Sequence, residues 1–183
     1  LFILAVAGQA QSTFSRYNGK TWEQLSGNGK LVQFNPVVSM FTNIDISHMN
    51  AQVVIETGGA EYSLNISIDD NLKDFFFYKQ EGNTLKLSFD LSGGKYDRWL
   101  SSNNTVITVK VPVLESLTNS GNTKIELKQL NQKEFRLISS GNPNITLSGT
   151  VNELMLQSTG NSDINAGILI ANKTILSSSG NAD

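Results

Sequence analysis

The sequence predicts an all-β chain whose C-terminal part is a β-solenoid, a stack of short strands joined at tight corners. Three observations lead there. Charged residues make up only 16% of the 183 residues, and polarity comes instead from Ser, Asn, Thr and Gly, which favour turns over helices. Apolar and polar residues alternate in many short runs, as half-buried strands require. A Ser/Thr-Gly-Asn triplet recurs around Gly121, Gly141, Gly160 and Gly180 at spacings of 20, 19 and 20. A unit of that length exposes an apolar edge that only the next copy covers, so the copies must stack.

The elements follow in chain order. Leu1-Phe2-Ile3-Leu4-Ala5-Val6-Ala7 and then Gly8-Gln9-Ala10 read as the end of a secretory signal peptide, with small residues before a cut after Ala10. Residues 11–25 form a weakly patterned arm, and Ser26-Gly27-Asn28-Gly29 echoes the later triplet. Residues 26–183 are read as one domain. Phe41, Ile44 and Ile46 mark a strand, and residues 52–57 mark another ending at Gly58-Gly59. Tyr62, Leu64, Ile66 and Ile68 alternate cleanly, closed by Asp69-Asp70-Asn71; Phe75-Phe76-Phe77-Tyr78 is an apolar strand. Glu81-Gly82-Asn83 turns the chain into Leu85, Leu87 and Phe89. Residues 93–104 read as a polar loop holding Tyr96 and Trp99, and Val106, Ile107, Val109, Val111 and Val113 lead into the repeats of 113–183.

Within the repeats, Leu117, Leu137, Leu156 and Leu176 each stand four residues before their glycine, and Ile125, Ile145 and Ile164 four after it. Leu137, Ile145, Leu147, Leu154 and Leu156 are therefore expected to point inward. Stacking would place Asn122, Asn142, Asn161 and Asn181 in one ladder. The fourth copy stops straight after its glycine, which predicts an unblunted edge open to end-to-end self-association.

Composition excludes several functions. The formal charge of −2 gives no basic field for nucleic acid or acidic lipid. With no Cys and one His, disulfides, thiolate chemistry and histidine-rich metal sites fall away. No apolar run approaches the ~18 residues of a spanning helix.

The motifs together resemble a known family, the auto-transporter adhesins with a head GIN domain. The carrying residues are Phe41-Thr42-Asn43-Ile44-Asp45-Ile46, Val53-Val54-Ile55 with Gly58 and Tyr62, Ile68-Asp69-Asp70-Asn71-Leu72, Gly82-Asn83-Thr84-Leu85-Lys86-Leu87, residues 109–117 and the Ser-Gly-Asn triplets. The resemblance spans roughly residues 26–183. It implies a single-stranded, right-handed, mostly parallel β-helix and export to the cell envelope, and it supplies no catalytic residue, metal or cofactor. Family repeats often read Ser-Gly-Ser-Gly-Asp; here Asn replaces the acidic residue, which weakens any cation site at the corners.

Candidate sites are few. Asp69 and Asp70 form a carboxylate pair, but at a strand end beside Asn71 they read as turn residues. His48 reads as a solvated loop residue. Phe75-Phe76-Phe77 suggests packing between two layers. Trp22, Tyr96 and Trp99 are the aromatics placed to stack on a sugar or anchor a partner, the alternative being that Trp99 staples its loop to the body. Four Asn-x-Ser/Thr triplets, at Asn65, Asn103, Asn144 and Asn172, carry no meaning in so Asn-rich a chain. Charged residues of the repeats, from Glu115 to Asp183, mix both signs without recurring in register. The expected function is a non-enzymatic secreted or envelope module, adhesin-like and binding an extracellular ligand (a glycan or a matrix or surface protein) or purely structural. The alternative is a β-helix lyase or hydrolase acting on polysaccharide.

Overall fold

The computed structural model describes residues 11–17 and 19–180; residues 1–10, read as a signal peptide, and Asn181 lie outside them. The strands are β1 (Gln11–Tyr17), β2 (Lys20–Ser26), β3 (Leu31–Phe34), β4 (Asn43–Ser47), β5 (Gln52–Glu56), β6 (Ser63–Asp69), β7 (Phe76–Glu81), β8 (Thr84–Phe89), β9 (Asp97–Leu100), β10 (Val106–Lys110), β11 (Ser116–Gly121), β12 (Lys124–Gly141), β13 (Asn144–Gly160) and β14 (Asp163–Gly180). One short 3-10 helix, Asp70–Phe75, joins β6 to β7. Strands β1, β2 and β9 make a three-stranded sheet, and the other eleven make one large sheet.

The all-β expectation holds, but the regular single-stranded right-handed β-helix with rungs of about 20 residues does not. The large sheet is a curled half-barrel of mixed strand order and direction. Its path runs β3-β6-β10-β5-β12-β11-β4-β8-β7, with β13 and β14 added beside β12. Antiparallel pairs (β3 with β6, β6 with β10, β7 with β8) interrupt the parallel ones. The physical reason lies in residues 31–110, where β7 and β8 form a hairpin and β6 lies antiparallel between β3 and β10. Strands β12, β13 and β14, at 18, 17 and 18 residues, bend where short rungs would break.

The spacing of the glycine triplets does set a register. Gly121 pairs with Gly141, Gly141 with Gly160 and Gly160 with Gly180, all in parallel strands. A Cβ on Gly141 would lie 2.7 Å from the Gly121 carbonyl oxygen, and one on Gly160 2.6 Å from that of Gly141. Both residues also have positive φ, 89° and 101°, so backbone proximity and conformation each demand glycine there. Beside this column, the Asn142 amide donates to Asn122 Oδ1 at 3.3 Å.

The core consists of ladders across strand partners. Leu85, Ile44, Leu117, Leu137, Leu156 and Leu176 stand in successive register. A second ladder runs Ile66, Ile107, Val53, Ile125, Ile145 and Ile164. Leu137, Ile145 and Leu147 are fully buried and Leu154 and Leu156 nearly so, as their alternation predicts. Among the described residues β14 has a partner on one side only, and there Leu176 is 66% exposed.

That gradient generates a paired prediction. Leu137→Ala opens a cavity in a closed ladder and lowers unfolding free energy by about 2–5 kcal/mol. The same change at Leu176 costs under about 1 kcal/mol, because little area leaves water there. Denaturant unfolding of both variants measures the difference.

Candidate functional site

The carboxylate pair separates on folding. Asp69 points inward and is fully buried. It accepts hydrogen bonds from the Gly29 amide at 2.7 Å, the Asn104 amide at 2.7 Å and the Asn104 side chain at 3.2 Å. Asn71 completes the clasp, accepting from the Asn28 amide and donating to the Ser26 carbonyl. Together they hold the Ser26-Gly27-Asn28-Gly29 segment against residue 104. Gly27 is required for this closeness, since a Cβ there would collide with the Asp69 carboxylate. Asp70 instead faces out to Lys73 at 3.2 Å and Lys30 at 3.6 Å; the hydrogen bond and charge of Lys73 hold its carboxyl below the ordinary value. The two acids are thus structural. Asp69→Ala, which orphans buried amide donors, lowers stability by about 2–4 kcal/mol, whereas Asp70→Ala leaves the unfolding curve nearly unchanged; chemical denaturation separates the two.

Residues 75–78 also divide. Phe75 ends the 3-10 helix, Phe76 is buried against Phe34 and Phe89 with ring centroids 6.4 and 5.6 Å away, and Phe77 and Tyr78 are exposed. The helix is a short 3-10 segment without a distinctive period, so the sequence reads its start as a turn and only its last residue, Phe75, as strand.

On one outer face, Val113, Glu115, Gln132, Glu134, Phe135, Arg136, Glu153 and Met155 line a groove of about 810 Å³. Its carboxylates are partly engaged: Glu115 accepts from the Thr42 hydroxyl at 2.8 Å, and Glu153 pairs with Lys173 at 3.0 Å. Contrary to the sequence reading, one charged column does recur in register, Glu134, Glu153 and Lys173. Among the described residues no group of three or more His, Cys, Asp or Glu is placed to hold a metal ion.

A second cleft brings two of the singled-out aromatics, Trp22 and Tyr96, together. Trp22, His48, Phe89, Asp90, Lys95, Tyr96, Asp97 and Arg98 line about 760 Å³ where the small sheet meets the β8–β9 connection. Residues 97–100, read as loop from sequence, are strand β9, pairing in parallel with β2. Alternation along β9 turns Leu100 toward the core and leaves Trp99 44% exposed, so Trp99 does not staple its loop. The partner strand lies some 75 residues earlier, which is why a four-residue strand escapes sequence reading. The small sheet is anchored by Arg98 Nε, 2.6 Å from Glu23 Oε2, with the guanidinium 5.6 Å over the Phe75 ring. Tyr96 packs edge-on to Phe14, centroids 5.6 Å apart, with the Lys95 ammonium 5.3 Å over its ring. Hydrogen bonds from the Ser92 side chain and amide hold the Asp90 carboxyl below its ordinary 3.8, so it stays charged through mildly acid pH. His48 is exposed, and its φ of 52° makes it one of two described non-glycine residues in the left-handed region.

One further signal was present and unread. Asn18-Gly19 between two β-prone runs favours a two-residue hairpin turn. Strands β1 and β2 pair antiparallel from Tyr17 with Lys20 to Gln11 with Ser26, with Gly19 at φ 78°.

A small sheet set against a larger curled one, with a cleft of aromatic and charged residues at their junction, makes an all-β architecture, and among the described residues no helix is long and apolar enough to cross a membrane. Comparison with known proteins gives it a family. Residues 40–183 match the family described as "Putative auto-transporter adhesin, head GIN domain", and the chain belongs to that family. The fold is shared with the crystal structure of a putative adhesin from Bacteroides fragilis: 23% identity, TM-score 0.67, 87% of this chain and 81% of that one. A putative adhesin from Parabacteroides distasonis is similar at 16% identity and TM-score 0.60, over 87% and 82%. A putative lipid binding protein from Parabacteroides distasonis matches at 18% identity and TM-score 0.62, over 81% and 69%. These are likenesses of fold. No curated protein sequence matches the chain.

Proposed function

We propose that the protein is a non-enzymatic, extracytoplasmic binding module that holds an extracellular ligand, a glycan or a surface protein, at the cleft of Trp22 and Tyr96. The observation that carries this is the presence of Trp22 and Tyr96 in the lining of one cleft, with Trp99 exposed on β9 of the small sheet fixed by the Glu23–Arg98 pair. Aromatic side chains set among hydrogen-bonding groups on a rigid support are a common basis of recognition. Membership of an adhesin family supports the same reading, and the apolar run ahead of Gly8-Gln9-Ala10 supports export.

The non-enzymatic reading has its own support. Polysaccharide hydrolysis needs two carboxyl groups facing one scissile bond. In the outer groove, Glu115 is bonded to Thr42 and Glu153 to Lys173. A lipid tail would need an apolar chamber, whereas the interior ladders are close-packed and the cleft mixes aromatic with charged groups.

The test is binding of the chain to arrays of glycans and of matrix and surface proteins. At least one class is retained, and the Tyr96→Ala/Trp99→Ala double variant loses it with an unchanged thermal midpoint. Undiminished binding by the folded double variant would remove these residues from the site.

A further inference from the structure

The geometry points to a neutral saccharide chain as the ligand, laid along a track from the cleft at Trp22 to Trp99; this rests on the reading of the cleft as the binding site. The chain has two tryptophans, and the small sheet holds both. Trp22 is the register partner of Asp97, and Gln24 is the partner of Trp99. Residues two apart on a strand share a face, so Trp22, Gln24, Asp97 and Trp99 stand on one side of β2 and β9. The two positions are diagonal neighbours, offset by two residues on adjacent parallel strands, which sets their backbones about 8 Å apart. The opposite face is already occupied: Leu25 and Leu100 pack on the core, and Glu23 bonds Arg98. The tryptophans therefore contribute to the outward face.

The chemistry of that face selects the ligand. A sugar ring presents an apolar C–H face and a rim of hydroxyls. The indole rings match the first, and the Gln24 amide and Asp97 carboxylate match the second. An aliphatic groove suited to a peptide helix is not what surrounds them. Charge argues for a neutral chain. On the face of β2 and β9 that carries the tryptophans the charged positions are Lys20 and Asp97, one of each sign, while Glu23 and Arg98 neutralise one another on the opposite face. A uronic or sulfated polymer would meet no surplus of positive charge there.

The experiment is tryptophan fluorescence of the whole chain, titrated with neutral oligosaccharides (cellohexaose, maltohexaose, mannohexaose, chitohexaose) and with oligogalacturonate and heparin fragments. Because both fluorophores lie on the track, a saturable spectral change reports occupancy there. The expected result is such a change with at least one neutral oligomer, insensitive to added salt. Trp99→Ala should weaken it by about tenfold or more while Trp99→Phe keeps most of the affinity, with circular dichroism and thermal midpoint unchanged in both. Binding confined to the acidic oligomers and abolished by salt would overturn the ligand class. Neutral binding that leaves the fluorescence and the Trp99→Ala affinity untouched would overturn the track. If no oligosaccharide binds, yet a surface protein does and Tyr96→Ala/Trp99→Ala abolishes it, this inference fails while the proposed function stands.

Discussion

Strand β12 is the constraint on which the rest depends. Residues 124–128 pair with β5, residues 136–141 pair with β11, and nearly its whole length pairs with β13. One continuous strand thus joins two parts of the sheet that would otherwise be separate. It manages this by bending between them. Gln129 takes a φ of 62° at the bend, where the register to β13 slips between Leu127 and Leu130. The next strand meets the same place with Gly149 at φ 124°. The curl that closes the core is the product of these local departures from extended geometry, and Leu127, Leu130 and Phe135 fill the space it encloses.

Much of this was written in the sequence, and some was not. The alternation at Leu137, Ile145 and Leu147 and the glycine spacing specify faces and register, because a period of two and a fixed offset are local properties. Strand direction is not local. Whether Ile66 runs with or against Ile107 depends on a partner 41 residues away, and a regular helix of rungs was read where hairpins intervene. The role of Asp69 was equally hidden. Its burial arises because Gly29 and Asn104, one 40 residues earlier and the other 35 later, converge on it. The Asn18-Gly19 hairpin could have been read and was missed beside a weakly patterned arm.

The candidate site was legible as residues and not as a place. Trp22, Tyr96 and Trp99 stood out because aromatics beside charge are unusual among so many Ser and Asn. Nothing in the spacing indicated that β2 and β9 pair, that Arg98 spans from Glu23 to Phe75, or that His48 would arrive at the same rim. The clasp of Asp69 and Asn71 on residues 26–29 matters here too, since it fixes the end of the strand that carries Trp22.

The long chain separation between β2 and β9 has a consequence for the order of assembly. Pairs within β12, β13 and β14 close loops of about 20 residues, whereas Glu23 and Arg98 are 75 apart. Chain-closure entropy makes the latter about 1 kcal/mol harder to bring together before other contacts shorten the path. The β12–β14 ladders are therefore favoured to form before the small sheet docks, as they are before the similarly distant β4–β11 and β5–β12 joins of the large sheet, and the cleft at the junction needs both sheets in place. A chain still in extended form has no such cleft until β2 and β9, far apart in sequence, have found one another.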